Sequence, residues 1–479
     1  METLKEKTAK GLFWGGMNSL VLQVVGLAFG ILLGRKLNSY DYGMLAAISI
    51  FSLVATALQD SGFKTALANL KEPTDRDYNS VFWFNILMGA LMYGVLFFCA
   101  PLIARFYRNP EMVALCRYAF LSIVFASFGT AQSAWLFKHL YARQQATASM
   151  SAVLVSSTIG VVMAYCGMSY WSLATQGLVY VLVNTLLQWH FSAWRPSLMI
   201  DFGPVRSMFR FSCRILATTI TTQVNNNVLN ILLGRFYGVQ PAGNYNQAYQ
   251  WNFKAFSLVQ GMVSQVAQPV LVDLQDQDGR QLHAFRKLMR FTAFIAFPLL
   301  FGLALVAREF IVLAITEKWL PSVPLLQLLC VSGAVMPLCT LLSNMIVSKG
   351  KSGIYFRSTA LLCLLQIATM VALRHSGIRA MVMGYTALNV LWLFVWHRLV
   401  CRLTGYRLLD LLRDTLPFAL TALGVMALTH MATQSIGNLW LLLASRILMA
   451  ATLYYAAMRI ADVTILRECT DFIMKRKRK

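Results

Sequence analysis

Apolar runs of nearly membrane-spanning length follow one another along the chain, separated by short polar turns. An α-helix needs about 20 apolar residues to cross a bilayer, and the runs lack the strict alternation of a barrel strand. Because a backbone in lipid must satisfy its hydrogen bonds internally, the pattern predicts an all-α integral membrane protein of about 14 transmembrane helices. The predicted spans are residues 11–34, 42–66, 81–104, 112–136, 145–166, 170–191, 208–234, 242–270, 290–314, 323–347, 357–374, 378–400, 416–431 and 438–459.

The distribution of basic residues gives these spans an orientation. With the N-terminus in the cytoplasm, 29 of the 42 Lys and Arg residues lie in inner segments and adjoining helix ends, 9 lie on the outer side and 4 lie within spans. An excess of this kind is typical of cytoplasmic loops. We therefore expect a multi-pass protein of the inner membrane with both termini in the cytoplasm and a basic tail near anionic headgroups.

Composition and charge narrow the classes of function. Of the 479 residues, 58% are hydrophobic and only 13% are charged, which no single soluble core can bury. The formal net charge of +23 lies mainly in short loops between apolar runs, so we expect membrane lipid as a partner and no nucleic acid. The six His and nine Cys show no metal-ligand spacing, and the sequence has no P-loop. Because the loops are also too short for a catalytic domain, we expect no metal, no cofactor and no enzymatic activity.

A short internal repeat indicates two similar halves. The pentapeptide ILLGR occurs twice, and a Gln and a Gly match at the same offset of 200 residues. The matched positions are Ile31–Arg35 with Ile231–Arg235, Gln23 with Gln223, and Gly43 with Gly243. Halves with the same orientation imply a pseudo-two-fold axis along the membrane normal and a substrate path between two lobes.

The repeat also divides the chain. We expect two pseudo-symmetric six-helix lobes in residues 1–200 and 201–400. Two additional helices and the basic tail would follow in residues 401–479.

Four cations lie within predicted spans without an acidic residue nearby in the sequence: Arg117, Arg214, Lys254 and Arg446. A charge at this depth is costly unless it meets a partner or water. A hydrated cavity for an anionic substrate would explain all four, because guanidinium and ammonium groups pair well with phosphate. Snorkelling to the headgroups is the alternative, strongest for Arg117 and weakest for Lys254 and Arg446.

The seventh and eighth predicted spans are rich in amides and aromatic rings. The candidates for a cavity lining are Gln223, Asn226, Asn227, Asn246, Tyr249 and Trp251. Amides could bind sugar hydroxyls, and ring faces could stack on the C–H faces of a sugar. The alternative is that the amides form hydrogen bonds between neighbouring helices.

Asp60 and Lys64 share one face of the second predicted span, because residues four apart are neighbours on a helix. A role in ion coupling and a self-neutralising structural pair are both open at this point.

Four segments resemble the polysaccharide exporters of the MOP superfamily, the Wzx-like lipid-linked oligosaccharide flippases. They are residues 11–45, 58–69, 226–250 and 315–329. The resemblance implies two six-helix lobes around a central cavity, alternating access, and basic cavity residues that hold a pyrophosphate. Lys254 and Arg214 match that expectation by location. Family members often carry an acid where this chain has Asn226 and Asn227, which argues against acid-based ion coupling in this half.

We therefore expect a flippase that exports an undecaprenyl-pyrophosphate-linked oligosaccharide of the surface-polysaccharide or O-antigen type. It would act as a monomer on this lipid-linked glycan, alongside a polysaccharide polymerase or export machinery. One alternative is a multidrug or organic-cation antiporter of the same superfamily, which would need an acidic cavity. Another is an integral-membrane glycosyltransferase or ligase, which would need a catalytic loop outside the membrane.

Overall fold

The structure is a computed structural model that describes residues 4–60, 73–198, 201–274, 276–462 and 466–467, together with residues 63, 67 and 70. All regular elements in these residues are helices, which confirms the predicted all-α class. The α-helices are α1 (Leu4–Lys36), α2 (Ser39–Asp60), α3 (Asp75–Tyr107), α4 (Met112–Ala119), α5 (Leu121–Ser127), α6 (Thr130–Lys138), α7 (Ala142–Tyr165), α8 (Ser169–Phe191), α9 (Gly203–Tyr237), α10 (Val239–Asp273), α11 (Asp278–Leu305), α12 (Ala307–Ile315), α13 (Val323–Ser348), α14 (Ser352–Ala372), α15 (Ile378–Thr404), α16 (Leu408–Thr433) and α17 (Leu439–Ile460). Short 3-10 helices cover Glu317–Ser322 and Leu373–His375.

Many of these helices can cross a membrane. Within the described residues, 10 helices are long and apolar enough, and the segment Met112–Lys138, bent by 43°, gives up to 11 if it is one span. The other three predicted spans coincide with α8, α9 and α10, in which amide and hydroxyl side chains lower the hydropathy. The structure thus confirms a multi-span membrane protein, while the total of about 14 spans stays a prediction.

The chain divides into two compact units, Met1–Asn244 and Tyr245–Lys479, and the division falls within α10. The six-helix lobes and the divisions at residues 200 and 400 stay predictions.

In unit 1, α7 packs against both α1 and α8, and α9 packs against α2 and α3. The buried residues of α7 are all small: Ala146, Ala148, Ala152, Ser156, Ser157, Gly160 and Ala164. The hydrophobic effect contributes little to helix association in lipid, so close packing is needed instead. Small residues allow it because they let helix backbones approach closely. Close packing of α7 therefore follows from its small-residue face.

The start of α2 is fixed by hydrogen bonds on several sides. The backbone N–H of Asn38 donates to Asp41 Oδ2 at 2.9 Å, and that of Asp41 donates to Asn38 Oδ1 at 3.1 Å, which forms a reciprocal helix cap. Asp41 is 2% exposed and also accepts a hydrogen bond from Ser169 at the start of α8. The Tyr40 hydroxyl donates to Glu111 Oε2 at 2.9 Å, next to α4. These bonds hold the first turn of α2 against the beginnings of α4 and α8.

In unit 2, α11 packs against α13 and α16, and α17 packs against α16 and α12. The carboxylate of Asp414 on α16 is fully buried between two arginines of α11. Arg286 Nε donates to Asp414 Oδ2 at 2.9 Å, and Arg290 Nε donates to Oδ1 at 2.6 Å. Arg286 Nη2 also donates to Oδ1 at 3.2 Å, and the Tyr406 hydroxyl donates to Oδ2 at 3.1 Å. A buried charge needs partners, and the arginines that pair with Asp414 lie on α11. The cluster therefore holds α16 against α11.

Candidate functional site

Lys254 is half-buried on α10, within unit 2, and it lies beside an immobilised aromatic ring. Its Nζ atom lies 4.5 Å from the centroid of the Trp251 ring. Trp251 is 5% exposed and meets Phe310 of α12 edge to face, with 4.9 Å between ring centroids. An ammonium is attracted to an indole face, so the ring positions the charged end of Lys254.

The side chains of α10 separate into two faces, as expected for a helix packed on one side. Trp251 and Asn252 lie on the buried face, where Asn252 is 2% exposed. Five half-buried or exposed residues form an adjoining stripe, here called the Lys254 face: Asn246, Tyr249, Gln250, Phe253 and Lys254. Their spacing of three, four, seven and eight residues places them on one stripe.

Two rings of the Lys254 face are stacked along the helix. The centroids of Tyr249 and Phe253 are 6.0 Å apart, with an interplanar angle of 26°. Phe253 is 44% exposed, so its ring offers an apolar surface outward. A cation next to exposed ring faces and amides can bind a phosphate and an attached sugar together.

The structure places Trp251, a predicted lining residue, on the buried side of α10, and its lining role stays a prediction. A ring that is 5% exposed contributes little to the lining of a hydrated cavity. Trp251 instead supports Lys254 from the buried side of α10. The half-buried positions of Asn246 and Tyr249 are compatible with the predicted cavity lining, and that role stays a prediction.

The predicted amides of α9 lie in unit 1 and are half-buried: Gln223, Asn226 and Asn227. The Asn227 side chain donates to the backbone oxygen of Gln223 at 2.9 Å, which occupies one of its amide hydrogens within the helix. Asn225 and Asn230 are more deeply buried, and their Oδ1 atoms accept no hydrogen bond from the part of the chain that the structure describes.

Arg446 has no acidic residue nearby in the sequence, but the fold brings one to it. Its Nη1 atom lies 2.9 Å from Oε2 of Glu309 on α12. The guanidinium also donates to Thr433 Oγ1 at 3.2 Å and to the backbone oxygen of Leu305 at 3.1 Å, and it lies 3.2 Å from Nδ1 of His430. Glu309 is far from Arg446 in sequence, and its position near a predicted span end suggests only a headgroup-level residue. A paired Arg446 no longer argues for a substrate contact.

Arg117 lies over an aromatic ring of its own unit. Its guanidinium carbon is 4.2 Å from the centroid of the Phe97 ring on α3, and its side chain is half-buried. This arrangement neither pairs Arg117 with a carboxylate nor shows it in a cavity, so its substrate role stays a prediction. The side chains of Arg214 and Asp60, and Lys64 as a whole, lie outside the described residues.

Comparison with known proteins gives one family. The model of the polysaccharide biosynthesis protein family matches residues 32–324. The lipopolysaccharide biosynthesis protein WzxC of Escherichia coli (strain K12) is 26% identical over 396 residues, which cover 81% of this chain and 80% of that protein. The teichuronic acid biosynthesis protein TuaB of Bacillus subtilis (strain 168) is 24% identical over 439 residues, which cover 89% of each chain.

The fold is shared with a solved structure of the lipid II flippase MurJ in an inward closed conformation. The TM-score is 0.75 at 13% sequence identity, and the match covers 95% of this chain and 100% of that chain. The family match confirms the resemblance to polysaccharide biosynthesis proteins, and the likeness to MurJ shows a shared fold.

Proposed function

Because the chain belongs to the polysaccharide biosynthesis protein family, we propose that it is a flippase that moves a lipid-linked oligosaccharide across the inner membrane. Relatives named for lipopolysaccharide and teichuronic acid biosynthesis support a glycan as the cargo. The fold of a lipid II flippase supports a lipid-linked form of that glycan. We propose undecaprenyl pyrophosphate as the lipid to which this glycan is linked.

The observation that carries the proposal is the position of Lys254 against Trp251, on a stripe of α10 that also carries the stacked rings of Tyr249 and Phe253. The Lys254 ammonium lies against the ring of Trp251, and an ammonium can pair with the oxygens of a pyrophosphate. The exposed rings and amides of the Lys254 face would hold the first sugars. Alternating access would then expose the loaded site to each side of the membrane in turn.

The same chemistry argues against the two alternatives. An organic-cation antiporter needs an acidic site, whereas the Lys254 face carries an ammonium. A glycosyltransferase or ligase needs positioned acid–base groups, and we propose instead that the chain performs no covalent chemistry. We further propose that the protein is a monomer with both termini in the cytoplasm. It would deliver its glycan to a polysaccharide polymerase or export machinery.

The proposal is tested in a strain that lacks the gene and carries Lys254→Ala, Lys254→Arg or the wild type. We expect Lys254→Ala to lower glycan export about tenfold or more, since a charged hydrogen bond contributes about 1.5–3 kcal/mol. Lys254→Arg should retain part of the export because it keeps the charge. Lys351→Ala is the matched control, because Lys351 is an exposed cation just before α14.

Export at the wild-type rate by Lys254→Ala, at equal protein level, would remove Lys254 from the binding site. The function itself is measured with purified protein in proteoliposomes that contain a lipid-linked oligosaccharide. Movement of the glycan to the opposite leaflet supports the flippase. Transfer of a sugar from a lipid-linked donor by this chain alone would overturn it.

A further inference from the structure

Gly43 and Gly243, which the 200-residue repeat matches, touch each other's helix in a reciprocal way. A Cβ atom on Gly43 would lie 1.8 Å from the backbone oxygen of Val239, and one on Gly243 would lie 1.7 Å from that of Ser39. Ser39 and Val239 begin α2 and α10 and are matched by the same offset. All four residues belong to unit 1, where the first turns of α2 and α10 cross with a local two-fold relation.

Only glycine is compatible with this crossing. A Cβ atom closer than about 3 Å to a carbonyl oxygen would overlap it, and both oxygens belong to the main chain, which cannot rotate away as a side chain does. The contacts at the two glycines are therefore made by main-chain atoms. Such contacts can part without the loss of an ion pair, which suits a contact that forms and breaks repeatedly.

One partner in the crossing is firmly held. Asp41 binds Ser169 of α8, and Tyr40 binds Glu111 beside α4, so the first turn of α2 is tied to two other helices of unit 1. If the crossing opens, the backbone of α10 has to move away from a fixed α2. The distribution of loop charges predicts that this end of both helices lies on the outer side of the membrane.

We propose that the Gly43–Gly243 crossing is the outer gate of the transport path, closed in this structure and opened when the first turn of α10 leaves that of α2. The proposal rests on the proposed function, since a gate is needed only by a carrier.

A native thiol reports on this gate. Cys116 on α4 is fully buried in one apolar cluster with Met44 of α2 and Val239 of α10. Parting of α2 and α10 would open that cluster and expose the thiol. Cys330 on α13 is equally buried in unit 2 and provides the control.

The first test uses the wild-type protein in cells whose outer membrane has been made permeable. A membrane-impermeant maleimide is added from outside, and each modified cysteine is identified by mass spectrometry. We expect Cys116 to react more than about tenfold faster than Cys330, because a minor state populated at ~0.1–10% opens far more often than the protein unfolds. A permanent packing contact predicts that both thiols react equally slowly, and this result in exporting cells would overturn the proposal.

The second test uses substitutions that add a Cβ atom at the crossing and so keep α2 and α10 apart. Gly43→Ala and Gly243→Ala should raise the labelling of Cys116 several-fold and lower glycan export at normal protein level. Gly26→Ala and Gly94→Ala are matched controls, because a Cβ at either position meets nothing within 4 Å. Unchanged labelling and export in both gate variants would overturn the proposal. If either variant fails to accumulate, the wild-type labelling still decides.

The two proposals fail separately. Rapid labelling of Cys116 in a protein that moves no lipid-linked glycan in proteoliposomes retains the gate and removes the flippase. Slow labelling of Cys116 in cells that export the glycan retains the flippase and removes the gate.

Discussion

Arg446 and Glu309 form an ion pair in the interior of unit 2, with 2.9 Å between Nη1 and Oε2. Their side chains are only 8% and 3% exposed. The pair joins α17 to α12, and its guanidinium is further bound by Thr433 and the backbone of Leu305. A cation that is costly in lipid is thus compensated by a carboxylate brought to it by the fold.

The buried pair predicts a loss of stability when one partner is removed. Arg446→Ala or Glu309→Ala leaves an uncompensated charge, and breaking a buried pair costs about 3–5 kcal/mol. We expect a clearly lower Tm of the purified protein in detergent. The double variant Arg446→Met with Glu309→Leu should recover much of the loss, because it removes both charges and retains volume.

Arg308→Ala is the matched control for this prediction, since Arg308 is the exposed neighbour of Glu309. An Arg446→Ala protein with the Tm of that control and a loss of export would contradict the structural role. It would return Arg446 to the list of substrate contacts.

The contact between α10 and α13 predicts a steric effect. A Cβ atom on Gly333 would lie 2.3 Å from Oδ1 of Asn252, which is 2% exposed. Gly333→Ala should cost about 1–3 kcal/mol through overpacking and reduce glycan export by shifting the helix that carries Lys254. Asn252→Ala combined with Gly333→Ala should restore part of both.

Thermal unfolding and the export assay measure the two effects of this substitution. Gly353→Ala is the control, because a Cβ there meets nothing within 4 Å. Equal Tm values for Gly333→Ala and Gly353→Ala would show that the contact between Asn252 and Gly333 relaxes without cost.

The segment before α9 predicts a dependence of stability on pH. The backbone N–H of Gly203 donates to Asp201 Oδ1 at 2.8 Å, and with the Arg76 guanidinium it holds the pKa of Asp201 below its ordinary value. A lowered pKa stabilises the fold above the unfolded pKa of about 3.9, and this contribution is lost as the pH falls through the folded value. The effect should be small because the carboxylate is solvent-exposed.

The comparison of the wild type with Asp201→Asn measures this contribution. The wild type should have the higher Tm at neutral pH, and the difference should shrink as the pH falls below about 3.9 and through the lower folded pKa, since both proteins then carry an uncharged side chain. A difference in Tm that stays constant over this range would show that Asp201 acts by shape and not by charge.

Hydropathy and charge were sufficient to predict an all-α multi-span protein, and four short motifs were sufficient for its family. These features are local, so neighbouring residues reveal them. The partner of Arg446 was missed because Glu309 lies on another helix, and nothing near either residue signals the pairing. The support of Lys254 by Trp251 was within reach of sequence, since residues three apart share a helix face.

Which segments enter the membrane follows from the order of residues alone, since the transfer of apolar residues into lipid depends on composition along each helix. The sequence also marked Gly43 and Gly243 as equivalent positions. The three-dimensional arrangement was needed to show that these glycines meet each other's helix, that Arg446 is paired with a carboxylate and that Trp251 is buried. Such outcomes depend on how separate helices pack, because the free energy of a buried charge or a close contact is set by atoms that lie far away in the chain.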